Sequence, residues 1–461
     1  MTNFWDSSVW GFIALMAVLG ITLLFANLLK KQFRFLKQSL IPTSVLGGII
    51  LLIIAVIYQN ITGNVMFNEN LFGGNGQATL ELLTYHCLAL GFISSTYRSA
   101  SAKFGKKRTV EIIDSGVTTV SGYLIQAIFG LGITILIALV VKDFFSASGI
   151  ILPFGYGQGT GQAMNYGNIY ETDYGFVGGK TFGLSIAACG FLSAAIGGVI
   201  HLNIMKKRGQ YKFNDEDIIE ALNSEQIESK DEVPMNGSID KMSIQVSIVF
   251  ATYLLAYFAI YFLASLVPGF QSILYGFNFL FGVLFATLVK KVLSSLNKKG
   301  VVKKQYVNSF LMNRICGLCF DIMIITGIAA IRIEFLKDTW WALLILAVVG
   351  AVVTYLYLRV ACKTVFKDCV EEQFLCWYGM LTGTASTGMI LLREVDPEFK
   401  THAADNLVYQ NFPAIALGFP MMIVATMCPK MPVITWLICL AYFVVLQVYL
   451  FRKSIFKKKS K

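Results

Sequence analysis

Two short polar stretches stand out against an otherwise apolar chain. The first reads Gly155-Tyr156-Gly157-Gln158-Gly159-Thr160-Gly161-Gln162 and the second Gly379-Met380-Leu381-Thr382-Gly383-Thr384-Ala385-Ser386-Thr387. Both contain Gly-x-x-x-Gly-Thr. Each glycine weakens a helix by about 1 kcal/mol relative to alanine. Backbone groups freed at membrane depth cost several kcal/mol each unless protein buries them or a cavity wets them. Broken backbone of this composition therefore points to a lined binding site. The N–H groups that open a half-helix attract anions, and the carbonyls that close one attract cations. Gln158, Thr160, Gln162, Thr382, Thr384, Ser386 and Thr387 would supply side-chain hydrogen bonds, with Asn165 close by. Gly157, Gly159, Gly161 and Gly383 would let the backbone approach the solute. Tight helix packing through Gly-x-x-x-Gly is the competing reading; it explains one glycine pair but not the clustered amides and hydroxyls.

Ionisable groups inside apolar stretches come next, because the cost of burying them has to be offset. Asp321 lies about 20 Å along its span at 1.5 Å per residue, too deep for a short acid to reach water. It is a candidate to bind a coupling cation, to accept a proton, or to pair with Arg314 seven positions earlier. His86, near the middle of the third span, is a second ion-coupling candidate or a hydrogen-bonded packing residue. Lys180 follows the first glycine-rich stretch, as counter-ion to a substrate carboxylate or as a side chain that snorkels to the interface. His201, Glu111 and Asp114 fall at the boundary. Cys316-x-x-Cys319 sits in an apolar helix, where packing is the expected role. There is no His-Glu-x-x-His, no Gly-x-Ser-x-Gly and no phosphate-binding loop. No enzyme, cofactor or metal centre is expected, and an ion gradient has to supply the energy for any transport.

The elements that must position these groups are membrane spans. Hydrophobic residues make up 56% of the 461, charged residues 14%, and the mean hydropathy is +0.65. The first ten residues lack Lys and Arg, so no cleavable signal peptide is expected. Eleven spans are read, at about 10–29, 41–58, 79–97, 110–141, 176–204, 242–267, 271–290, 308–333, 339–361, 404–427 and 431–451, with shorter re-entrant segments at about 148–168 and 372–390. Of 38 Lys and Arg, only Lys142, Lys180, Arg314, Arg332, Lys337 and Lys430 lie outside six loops and tails that this threading puts on one face. The positive-inside rule makes that face cytoplasmic, with the N-terminus outside and the C-terminus inside. The net charge of +11 is thus a membrane-surface feature that faces lipid, and no nucleic-acid partner is expected.

Each half carries four spans, a glycine-rich segment and a fifth span. An odd number of spans before the polar linker turns the second half over. The expected fold is an all-α integral membrane protein of about eleven transmembrane helices plus two re-entrant segments in an inverted-topology repeat. Residues 1–205 form the first repeat, 206–241 a cytoplasmic linker, 242–427 the second repeat, and 428–461 an extra span with a basic tail.

Over about residues 10–427 the chain resembles the bacterial sodium/glutamate symporters. Ile41-Pro42-x-x-Val45-x-Gly47-Gly48 is similar to the family's Ile-Pro-x-Pro-Val-x-Gly-Gly. Gly157-Gln158-Gly159-Thr160-Gly161 is similar to Gly-His-Gly-Thr-Gly, and Gly383-Thr384-Ala385-Ser386-Thr387 to Gly-Ala-Thr-Pro-Thr. Thr181-Phe182-Gly183-Leu184 also matches. The resemblance implies a homodimeric secondary carrier of the bacterial inner membrane. Its transport domain would move like an elevator, its substrate would be glutamate or a related small carboxylate, and its coupling ion sodium. Gln158 replaces the family's usual His, Ser386 its Pro, and Lys180 and Asp321 stand where uncharged residues are usual. A proton-coupled or exchange carrier of another organic anion is the alternative, and a channel or membrane sensor a more distant one.

Overall fold

The computed structural model describes residues 3–97, 105–209, 239–300, 304–396 and 400–452. These are helical, with no strand among the described residues. The first half contains α1 (Ser7–Gln32), α2 (Arg34–Gln38), α3 (Thr43–Thr62), α4 (Gly76–Tyr97), α5 (Lys106–Val140), α6 (Leu152–Gln158), α7 (Thr160–Tyr174) and α8 (Gly179–Lys207). The second contains α9 (Lys241–Leu266), α10 (Gln271–Gly276), α11 (Asn278–Lys298), α12 (Ser309–Ala329), α13 (Trp340–Val365), α14 (Val370–Thr382) and α15 (Ala385–Val395). It ends with α16 (Ala403–Tyr409), α17 (Asn411–Met427) and α18 (Pro432–Leu450).

Nine of these helices among the described residues are long and apolar enough to cross a membrane, and the pair α16–α17, bent by 50°, makes up to ten. The eleventh expected span is α4. Its 22 residues reach about 33 Å at 1.5 Å per residue, but Glu81, Tyr85 and His86 leave it less apolar than the nine. Both expected re-entrant segments are broken helix pairs, α6–α7 and α14–α15. Most of the linker 206–241 and nearly all of the basic tail lie outside the described residues.

The helices are inside-out relative to a soluble protein. α1 buries Gly11, Leu15, Leu19, Thr22 and Ala26 and exposes Phe12, Ile21, Leu24, Phe25 and Leu28. α5, 35 residues long, buries Ser115, Gly116, Thr118, Thr119, Ser121 and Gly122. With lipid as apolar as leucine, small and polar side chains face the interior because they permit close approach and hydrogen bonding between helices.

The chain divides into two compact units. The larger holds α1–α3, α5–α8, the end of α12 from Gly327, and α13–α18; α5 runs through it against α6, α13, α17 and α18. Phe374, Trp377, Tyr378, Leu381 and Leu391 form part of its apolar core. The smaller holds α4 from Ala78, α9–α11 and α12 as far as Thr326. Within it α4 and α12 meet through Thr84 and Thr326, whose hydroxyls are 2.9 Å apart, and Tyr97 reaches the Thr252 hydroxyl of α9 at 2.6 Å.

Candidate functional site

Each helix break has a local cause. Pro153, in the first turn of α6, needs no intrahelical N–H partner there. The helix stops at Gly159, whose φ of 83° and ψ of −171° form a conformation open to glycine and strained for other residues. α7 starts at the next residue. In the second pair α14 stops at Thr382, and the Thr384 hydroxyl caps α15 by accepting from the Thr387 amide at 3.4 Å. Thr382 turns its own hydroxyl back onto the Tyr378 carbonyl at 2.6 Å.

The two breaks have different surroundings. Gly157, Gly159, Thr160, Gly161 and Gln162 are buried and Gln158 is half-buried. In the second, Gly383 and Thr387 are buried, Thr384 is half-buried and Ser386 is exposed. Gln162 accepts from Asn165 Nδ2 at 3.3 Å, while its own Nε2 is buried with no hydrogen-bond partner. A buried donor left unpaired costs about 1–3 kcal/mol.

Neighbouring helices bring the breaks together. On α8, Gly190 lies where a Cβ would stand 2.5 Å from the Thr382 carbonyl oxygen and 3.1 Å from the Tyr156 ring, so only a bare backbone fits between α6 and α14. On α5, Tyr123 donates to the Gly157 carbonyl at 3.3 Å, and Gln126 Nε2 donates to the Leu381 carbonyl at 2.8 Å. One turn of α5 thus holds the C-terminal ends of both first arms. Tyr123, Gln126 and Gly190 were not among the candidates from sequence. An uncharged amide deep in a long apolar helix is the signal that marks Gln126.

The outer ends of the arms are also fixed. Glu371, in the first turn of α14, accepts from Arg359 at 2.5 and 3.2 Å, and His201 Nε2 lies 2.8 Å from it. Tyr166 and Tyr170 tie α7 to the Met422 and Ala425 carbonyls of α17 at 2.7 and 2.6 Å. Beyond α15, burial raises the Asp396 carboxyl, but the Thr401 hydroxyl and the amides of Thr401 and Lys400 outweigh it and hold the group below its usual range.

Lys180 is not brought to the breaks. Its Cα lies 2.9 Å from where a Cβ on Gly167 would be, about 12 Å along α7 from Gly159. Its amide donates to Glu171 at 3.1 Å. Asp321 and His86 belong to the smaller unit, and both are exposed on it. The His86 ring is 2.8 Å from the Tyr253 hydroxyl. Among the described residues no group of three or more His, Cys, Asp or Glu side chains is arranged to hold a metal ion.

A family model, the sodium/glutamate symporter, matches residues 11–373. The chain belongs to the sodium/glutamate symporter family. The match runs from α1 into the first turn of α14. It therefore includes the first break with Gln158, Thr160 and Gln162, the α5 turn with Tyr123 and Gln126, and Gly190. The second break and α15–α18 of this symporter-family chain lie past its end. No curated protein and no solved structure matches the chain.

Proposed function

We propose that the protein is a secondary active carrier that couples uptake of glutamate, or a related small carboxylate, to sodium. The observation that carries this reading is the meeting of two helix breaks around Gly190 in one compact unit, with a buried donor, Gln162 Nε2, left unpaired beside the first. The second arms α7 and α15 open at the breaks, where the positive dipole end of each helix favours a carboxylate. Thr160, Gln162, Thr384, Ser386 and Thr387 add donors, and Gln158, Thr382 and the glycines 157, 159, 161 and 383 shape the approach. Equivalent parts of both halves, the fourth span, broken pair and fifth span, lie in the larger unit, which suits an inverted repeat with elevator-like alternating access. The skew of Lys and Arg supports an outside N-terminus in a bacterial inner membrane. Homodimerisation follows the family pattern.

Liposomes containing the purified protein, given labelled glutamate under an inward sodium, potassium or proton gradient, test the proposal. Uptake only with sodium is expected. Uptake driven equally well by protons alone replaces sodium coupling with proton coupling, and folded protein that takes up no glutamate under any gradient moves the substrate elsewhere. Asp321 and His86 are assigned to ion coupling on their intramembrane position. Full gradient-driven uptake by Asp321→Asn removes Asp321 from that role, and the same result with His86→Gln removes His86.

A further inference from the structure

We infer that the side-chain oxygen of Gln126 is a ligand of a sodium ion, at a site additional to Asp321 and His86, and links its binding to docking of the second helix break. The inference rests on the sodium-coupled reading above and places the ion in a part of the fold that no motif indicated.

Gln126 lies on α5 with no exposed surface. Its Nε2 makes two hydrogen bonds of 2.8 Å, to Thr354 Oγ1 and to the Leu381 carbonyl. The Thr354 hydroxyl spends its own proton on the Gly350 carbonyl at 2.6 Å, so it only accepts from Gln126. Two acceptors on one side settle the orientation of an amide that is otherwise ambiguous. The NH2 faces Thr354 and Leu381, and Oε1 faces away from them. That oxygen is buried and has no partner.

Its surroundings select the sign of what it receives. Leu381 and Thr382 close α14, and the last four carbonyls of a helix have no intrahelical partner and carry its negative dipole end. The Gly157 carbonyl, at the end of α6, is held by Tyr123 on the same turn of α5. Neutral oxygens and helix C-termini suit a hard monovalent cation, and they disfavour a carboxylate. Two sources share that chemistry, sodium and the ammonium group of an amino-acid substrate. The amide oxygen and dipole ends supply no charge of their own and suit a small alkali cation, so sodium is the assignment.

The bonding pattern also couples the ion to the break. With a cation on Oε1, the amide is fixed with both N–H groups on its acceptors, and the Leu381 carbonyl stays tied to α5. Without the cation, the amide can hold Leu381 only with its oxygen unpaired, so the tie to the end of α14 is less favourable. Sodium occupancy and docking of the α14 end then favour each other, and the linkage is reciprocal.

Equilibrium binding of radioactive sodium to the purified full-length protein, without glutamate, tests this. Gln126→Met keeps the side chain's size and loses the oxygen; Gln126→Glu keeps oxygens and loses the N–H donors. Each variant is checked for monodispersity before use. The expected result is a sodium dissociation constant at least about tenfold higher in Gln126→Met, about 1.4 kcal/mol, and within about threefold of the parent, or tighter, in Gln126→Glu. Unchanged sodium binding in Gln126→Met overturns the inference and leaves the carrier reading standing, as does equal weakening in both variants. Unchanged sodium binding with glutamate weakened and its deaminated analogue glutarate unaffected assigns the oxygen to the substrate ammonium and also overturns it. A parent protein that binds no sodium overturns the sodium-coupled reading together with the inference.

Discussion

At the scale of single residues, the informative groups are the buried polar atoms without partners. Folding alone does not favour the Gln162 amide, since its Nε2 is buried and unpaired. A substrate carboxylate would supply the missing acceptor. Gln162→Glu keeps the acceptor that Asn165 uses, removes the donor and adds negative charge. The expected outcome in glutamate uptake assays, run on protein checked to be folded, is a KM raised at least about tenfold, or about 1.4 kcal/mol. An unchanged KM takes Gln162 out of the substrate site. Gln162 was readable in the sequence because it sits in a glycine-rich run where a regular helix has no use for it. The Lys180 backbone lies away from the breaks for a geometric reason. α7 leads about 22 Å away from Gly159 before the chain turns at Phe176 to Gly178. α8 returns alongside α7 and meets the level of the breaks at Ile186 to Gly190, about 10–17 Å from its start at Gly179, rather than at its first turn.

At the scale of elements, the architecture depends on how closely three helices approach. α6, α8 and α14 meet where Gly190 has no side chain, and the nearest atom to a new Cβ would be the Thr382 carbonyl oxygen, part of the backbone and unable to rotate away. Gly190→Ala is therefore expected to push the end of α14 off α8. Such overpacking costs about 1–3 kcal/mol, with loss of most gradient-driven uptake. Gly20→Ala in α1, where a Cβ meets nothing within 4 Å, is the matched control and should transport normally. Equal uptake by both variants would show that the breaks need not be held this closely. The breaks were legible from glycine content: the expected segments 148–168 and 372–390 enclose Gly159 and Gly383, while α7 runs on to Tyr174 and α15 to Val395. The α5 turn with Tyr123 and Gln126 and the approach at Gly190 were not. They lie in unbroken helices, and which turn faces a distant segment is set by tertiary packing, which leaves no local mark on composition.

At the scale of the whole molecule, the last span, α18, is fastened to the rest of the larger unit along its length. Trp436 donates to the Ile128 carbonyl of α5 at 2.9 Å, Tyr442 to the Leu417 carbonyl of α17 at 2.7 Å, and Gln447 to the Tyr357 hydroxyl of α13 at 3.3 Å. Just past α18, Arg452 grips Asp114 with both terminal nitrogens, at 2.9 and 3.2 Å. Hydropathy made the span visible, but its attachment to the unit that holds both breaks depends on these polar contacts, which join residues more than 300 positions apart in two cases. The Asp114–Arg452 pair gives the sharpest test. Asp114 is 5% exposed, so Arg452→Met takes two guanidinium bonds from a buried carboxylate, an expected loss of up to about 3 kcal/mol. Replacing both partners removes the buried charge as well as the bond, so Asp114→Asn combined with Arg452→Met is expected to recover much of the thermal midpoint lost in Arg452→Met alone. Additive losses in the double variant would instead mean that Arg452 acts through contacts other than Asp114, with its packing over the Tyr449 ring the first to examine. Recovery of stability with uptake still impaired would separate the two functions of this contact, showing that α18 has to be held in place against α5 for transport even where folding no longer needs the ion pair.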